Sequence, residues 1–245
     1  FSTYLYTGTG AAQTITNGMN LSGSGGLVWS KDRSGTNSHR LYDTVRGGNK
    51  SLSTNQTAAQ DTWSAPYIMT FNSNGYETGL LNNESSFTYA SWTFRKQKKF
   101  FDVVTWTGTG ATQHDVSHSL GSVPGFIIVK DTSQTSGWPI AARKADGNYC
   151  GLTLNNTNAA SPASVTASNA GIFSTHVDFG NTGFSGQIAS VNVIGATYVA
   201  YLFAHDAGGF GLSGTDNVIS CGSFSSTALN NLGWEPQFVM MKRTD

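Results

Sequence analysis

The segment HDVSH places His114 and His118 four residues apart, with Asp115 between them. On a helix, imidazoles at that spacing share a face and can grip a metal ion. The surrounding TQHDVSHSLGS alternates instead as a strand entering a turn, where such residues lie about 13 Å apart. His118 is therefore expected to make a turn hydrogen bond, and no metal site is expected. A second group, RLYDTVRG, combines Arg40, Asp43 and Arg46 with Tyr42, directly after His39. In a strand, Arg40, Tyr42, Thr44 and Arg46 share one face and Leu41, Asp43 and Val45 the other. That polar face with its ring suits stacking on a sugar or docking a neighbouring subunit, and the planar Arg46 guanidinium suits a carboxylate. The same charges can also close an internal ion pair of Asp43 with Arg46 or Lys31. Arg40, Tyr42, Arg46 and Trp138 are thus the candidate ligand or subunit contacts, and Tyr42, Trp63 and Trp138 the rings for an exposed aromatic platform.

Other stretches favour structure over chemistry. RKQKKFF concentrates Arg95, Lys96, Lys98 and Lys99, but a nucleic-acid surface wants a wider basic field with interleaved aromatics. DFGNTG (178–183) and HDAGG (205–209) offer oxygen ligands near glycines, yet their spacing matches no known calcium loop, and turns are expected. Glutamate occurs only as Glu77, Glu84 and Glu235, none paired with an aspartate as in a glycosidase. There is no G-x-S-x-G elbow, H-E-x-x-H helix or phosphate loop, so no enzyme and no cofactor are expected. Sequons at Asn20, Asn55, Asn83 and Asn155 are what a chain rich in Asn, Ser and Thr produces by accident.

The elements that must carry these residues read as strands. Fourteen basic residues balance fourteen acidic ones and only 11% of residues are charged, so no global field draws the chain to nucleic acid or an acidic membrane. Twenty-nine glycines and 12% aromatics fit a turn-rich β-protein. FIIVK, YVAYLF, YASWTF, FDVVTW and NVISCGSF have strand composition, separated by turn signals such as NSNG, SGSGG and FGNTG. Cys150 and Cys221 alone give no disulfide framework, and no apolar run reaches the ~20 residues of a membrane helix. FSTYLYTG reads as a strand entering a turn, not a signal peptide, and suggests a segment of a longer polypeptide.

The chain also repeats itself. YLYTGTGAAQ and VTWTGTGATQ align Thr7-Gly8-Thr9-Gly10 with Thr107-Gly108-Thr109-Gly110, and Gln13 with Gln113. In each an aromatic residue, Tyr6 or Trp106, precedes the tetrad. GLVWSKD then lies over GFIIVKD, LSTNQTAA over LTLNNTNAA, and TYASWTF (88–94) over TYVAYLF (197–203), after an insertion in the second copy around STHVDFGNTGFSGQIAS. VISCGSFSS and LGWEPQFVMMKRTD repeat the openings of a further copy, with Leu232-Gly233, Pro236 and Lys242 over Leu120-Gly121, Pro124 and Lys130. A period near one hundred residues means tandem domains, not solenoid repeats. The expected fold is all-β, tandem β-sandwiches of concanavalin or jelly-roll type, over 1–100, 101–212 and the truncated start 213–245, with the tetrad a glycine corner needed once per sandwich.

The long strings GLVWSKDRSGTNSHRLYDTVRGGNKSLSTNQTAAQDT, ASWTFRKQKKFFDVVTWTGTG, HSLGSVPGFIIVK and YVAYLFAHDAGGFGLSGTDNVISCGSF closely resemble a tandem-repeat β-sandwich family of marine bacteriophage, of cyanophage type. These are virion structural and tail fibre proteins. The resemblance implies an extracellular particle component, part of a tail fibre or other appendage, that acts by assembly as a homo-oligomer with other virion subunits and by adhesion to a host-surface glycan. It implies no nucleic-acid partner and no membrane insertion. Two other roles fit the same composition: a lectin-like carbohydrate-binding module for receptor recognition, and a capsid decoration protein. HRLYDTVRG becomes WPIAARKADG in the second copy, so any binding role of His39, Asp43 or Arg46 belongs to the first unit alone.

Overall fold

A computed structural model describes residues 1–161, 164–224 and 231–243, and over them the chain is an all-β protein built of antiparallel sandwiches. Two compact units divide it, Phe1–Lys96 with Thr132–Ser136, and Gln97–Asp131 with Gly137–Asp245. No helix among the described residues is long and apolar enough to cross a membrane.

The first unit runs β1 (Ser2–Thr7), β2 (Gln13–Thr16), the single-turn α1 (Leu21–Ser24), β3 (Gly26–Asp32), β4 (Arg40–Asp43), β5 (Lys50–Ser53), β6 (Asp61–Thr62), β7 (Thr70–Asn72), β8 (Gly75–Thr78) and β9 (Thr88–Arg95). Its main sheet has the order β1-β9-β3-β4-β5-β6, and a smaller sheet, β2-β8-β7, supplies the second layer. The sequence of β9, TYASWTFR, is β-branched and aromatic, as a strand paired on both sides requires. It sets Tyr89 opposite Tyr6 of β1 and Trp92 opposite Trp29 of β3. The core lies between the layers: Tyr6, Val28, Tyr42 and Tyr89 from the main sheet meet Ile15 and Tyr76 from the small one. The aliphatic members, Val28 and Ile15, each contribute roughly 1.5–3 kcal/mol by leaving water.

The second unit follows the same plan with β10 (Phe101–Thr107), β11 (Asp115–Ser117), β12 (Phe126–Asp131), β13 (Pro139–Arg143), β14 (Tyr149–Thr153), β15 (His176–Asp178), the single-turn α2 (Phe184–Gln187) and β16 (Thr197–Phe203). Its main sheet is ordered β10-β16-β12-β13-β14, strand for strand the order of β1-β9-β3-β4-β5, and β11-β15 is its small sheet. Its core gathers Trp106, Ile127, Val129, Tyr198 and Leu202 against Val177, Phe179 and Phe184.

The Gly/Thr tetrad makes the same corner in both units. Gly8 N donates to Phe87 O at 2.7 Å and Gly108 N to Ala196 O at 2.8 Å, while Gly10 N and Gly110 N donate to the carbonyls of Asn83 and Asn192. A Cβ on Gly8 or Gly108 would fall 2.1 Å from the carbonyl oxygen of Glu84 or Val193, so only glycine fits this close backbone approach. The aromatic residue before the tetrad anchors the corner. Tyr6 stacks on Tyr89 at 5.0 Å and donates to Asn82 O. Trp106 stacks on Tyr198 at 5.1 Å and on Phe179 at 3.9 Å, and donates to Val191 O.

Residues 217–224, expected as a strand from their composition, form none, and no strand follows among the described residues to 243. The reason lies in the pairing order. In both units the strands that these residues resemble join only through an intervening strand, β9 or β16, and no described residue after 213 supplies one.

Candidate functional site

The second copy carries an insertion, and the second unit carries the cleft. The loop before β15 closes as a tight turn in which Ile172 bridges Val177 and Phe173 N donates to His176 O at 3.0 Å. That turn brings the rings of Phe173 and His176 together, stacked at 4.7 Å and 30°. His118 braces it from the end of β11. Its backbone N–H donates to Thr175 O, its Nε2 lies 3.1 Å from Phe173 O, and its Nδ1 accepts from Leu120 N, which fixes a neutral ring protonated on Nε2. Burial holds the His118 pKa below its ordinary value. This is the turn hydrogen bond expected of His118.

Strand pairing sets the carboxylates. β11 and β15 register Asp115 opposite Asp178, so both side chains leave the same face. Asp178 is nearly buried, at 9% exposure, and its Oδ1 accepts from His114 N at 2.7 Å and Gly180 N at 2.8 Å. Asp115 is more open; its Oδ2 accepts from Gln113 Nε2 at 2.9 Å and its Oδ1 lies 3.7 Å from His176 Nε2. Together with Asn169, Thr182, Gln187 and Phe173 these groups line an open cleft of about 530 Å³. The DFGNTG stretch is the turn expected of it, and that turn forms one wall.

The residues singled out in RLYDTVRG lie elsewhere, in the first unit, and the structure separates them. β4 ends at Asp43, because Asp43 Oδ1 accepts from the backbone N–H of Val45 and Arg46 and turns the chain. Arg46 consequently folds inward, with Nε 2.6 Å from Asp43 Oδ2 and its remaining nitrogens on Gln60 Oε1 and Leu41 O. Of the two internal pairs considered, Arg46 makes this one, whereas Lys31 turns to the carbonyls of Asp32, Gly35 and Asn37. Tyr42 and Trp138, expected as exposed contacts, are 1% and 0% exposed and present no platform. The flanking strands and the second layer cover the face on which period-two alternation had placed Tyr42. Arg40 does reach the surface. It lies over the Trp63 ring at 5.4 Å, 3.6 Å from Asp61, and both Arg40 and Trp63 donate to Ser51 Oγ.

The remaining candidates lie in turns, caps and the interior. Arg95 closes β9, and Lys96, Lys98 and Lys99 lie in the turns before β10. His205 Nδ1 accepts from Cys221 N, and both cysteines are free thiols. Asn20 caps α1, Asn55 and Asn155 accept backbone N–H groups, and Asn83 is fully buried. Among the described residues no three His, Cys, Asp or Glu side chains gather to hold a metal ion.

Fold and site together define a class: a tandem all-β sandwich protein whose loops, carried on a rigid sheet, shape a polar cleft. The chain belongs to the DUF7483 family, a domain of unknown function, which it matches over residues 1–245. No curated protein and no solved structure is significantly similar to it.

Proposed function

We propose that the chain is a non-catalytic component of a bacteriophage virion appendage of the tail fibre kind, which attaches to a surface ligand through the cleft of its second unit. The virion context rests on the sequence resemblance described above. The attachment role is supported by one observation, that the inserted loops of the second unit build a cleft of about 530 Å³ with an aromatic pair on one wall. Its volume lies in the range of ligand sites, roughly 300–1,000 Å³, and its mainly polar lining beside one aromatic wall suits capture of a polar ligand. Paired carboxylates also serve hydrolases, but both Asp178 Oδ1 and Asp115 Oδ2 are already committed as acceptors within the protein.

The test is retention of the purified full chain on bacterial envelope preparations, compared with the Phe173→Ala variant. Retention that the variant loses supports attachment through the cleft. No retention on any envelope, or equal retention of the variant, overturns it.

A further inference from the structure

We infer that the cleft takes a saccharide without acid groups, seated with a C–H face of its ring on Phe173 and its hydroxyls donating to the aspartates. The inference rests on the attachment role proposed above and names the ligand of that same site.

Three features of the cleft converge on this class. The first is the aromatic wall. Phe173 is 36% exposed although its ring already stacks on His176. A large ring held rigid at a surface by a hairpin and by the His118 brace is suited to the apolar face of a sugar, which offers area without flexibility.

The second is unspent hydrogen-bonding capacity. Asp178 is held by two backbone N–H groups on Oδ1, which leaves Oδ2 without a hydrogen bond from any described residue. The side-chain amides of Asn169 and Gln187 line the same cleft and likewise make no hydrogen bond to a described residue. A carboxylate oxygen that accepts, beside amides that both donate and accept, matches vicinal hydroxyl groups, each of which does both. An apolar ligand would leave these groups desolvated and unpaired, at about 1–3 kcal/mol each.

The third feature is charge. Like charges directly opposite on paired strands are normally unfavourable, yet Asp115 and Asp178 are registered so and both line the cleft. The lining contains no lysine or arginine; His176 is its one group able to become cationic. Hydroxyl donors gain from this arrangement, whereas a carboxylate or sulfate on the ligand meets two fixed negative charges. The selectivity is therefore against uronates and other acidic sugars.

The experiment measures calorimetric binding of the full chain to a panel of neutral gluco-, galacto- and manno-configured oligosaccharides and to oligogalacturonate. Binding to at least one neutral oligosaccharide is expected, with oligogalacturonate inert. Phe173→Ala and Gln187→Ala, both at cleft-facing positions outside the sheets, are each expected to weaken that binding by about tenfold or more, the equivalent of one lost ring or polar contact. Asp178→Asn is informative only if its melting temperature is unchanged; the two other variants carry the test if it is not. Equal or tighter binding of oligogalacturonate overturns the inference. So does failure of the whole neutral panel; if the chain is nevertheless retained on envelopes and Phe173→Ala abolishes retention, the attachment role survives with a different ligand.

Discussion

Asn192 reaches across its unit to Thr109, its side-chain oxygen accepting the Thr109 backbone N–H at 2.8 Å while its Nδ2 donates to Ala111 O at 3.0 Å. Asn83 makes the equivalent pair of contacts to Thr9 N, at 2.9 Å, and Ala11 O. Each asparagine thus ties the tetrad corner to the loop before the last strand of its unit. Both are almost fully buried, so removing either side chain deletes two hydrogen bonds and leaves a void where the amide packed. Asn83→Ala and Asn192→Ala should each lower unfolding free energy by about 1–3 kcal/mol in chemical denaturation. Gly8→Ala and Gly108→Ala should cost more, because the new methyl group meets a carbonyl oxygen. Unchanged midpoints in the asparagine variants would show the corner to be incidental.

The Arg46–Asp43 pair gives a sharper case. Its side chains are 5% and 0% exposed, and all three Arg46 guanidinium nitrogens have acceptors. Deleting one partner of such a buried pair leaves an uncompensated charge and typically costs about 3–5 kcal/mol. Arg46→Ala is expected to fall in that range. Arg46→Lys should rescue little, since an ammonium cannot span Asp43, Gln60 and Leu41 together. Neither variant should affect retention on envelopes beyond its loss of folded protein. A stable Arg46→Ala chain with weakened retention would reassign Arg46 to ligand contact.

Much of the architecture was visible as pattern. The tetrad with its leading aromatic residue, and the runs FIIVKD, TYVAYLF and TYASWTF, mark the strands and the corner because apolar periodicity and glycine geometry are local properties. The cleft was not visible in that way. It depends on a register that sets Asp115 against Asp178, sixty-three residues apart, and on side chains such as Asn169 and Gln187 that are ordinary loop composition. Its one signal in the sequence was the insertion around STHVDFGNTGFSGQIAS. Tyr42 shows a different limit. Alternation states which residues share a face, but not which face another layer covers, and in β4 the last three residues are all buried.

The thiols should be inert. Burial, with Asp206 nearby, pushes the Cys221 thiol up to about 12, and burial raises Cys150 as well. At pH 8 a thiol with that pKa is roughly one part in ten thousand thiolate, and the thiolate is the reactive form. Native protein should therefore react with a disulfide reagent far more slowly than protein in guanidinium, where both thiols regain their ordinary pKa. Rapid labelling of one thiol in the native state would locate an opening of the second unit.

Acid should act on the fold and the cleft together, through His118. The neutral ring accepts from Leu120 N on Nδ1 and faces Phe173 O with Nε2, so a second proton on Nδ1 removes the acceptor that Leu120 N–H uses and loosens the brace on the turn. Burial is the main cause of its lowered pKa; the Phe173 carbonyl and Asp102 oppose the shift, and His176 adds to it. His39 and His205 are lowered by burial in the same direction. A histidine with a folded pKa below its unfolded value, about 6.5, binds fewer protons when folded. Its contribution is constant above that value and turns against the fold as pH falls from about 6.5 through the folded pKa. Asp146, held low chiefly by the Asn148 backbone N–H, titrates below this range and does not compete. Between pH 8 and 7 the buried Lys130 amine, lowered to about 8, and the lowered amino terminus of Phe1 contribute a gentle decline of their own as pH falls; the histidines should add a further fall in melting temperature between pH 6.5 and 5. His118→Gln should show a shallower fall, and envelope retention by the native chain should weaken over the same interval as the turn bearing Phe173 loosens. A melting temperature independent of pH down to 5 would sink this account.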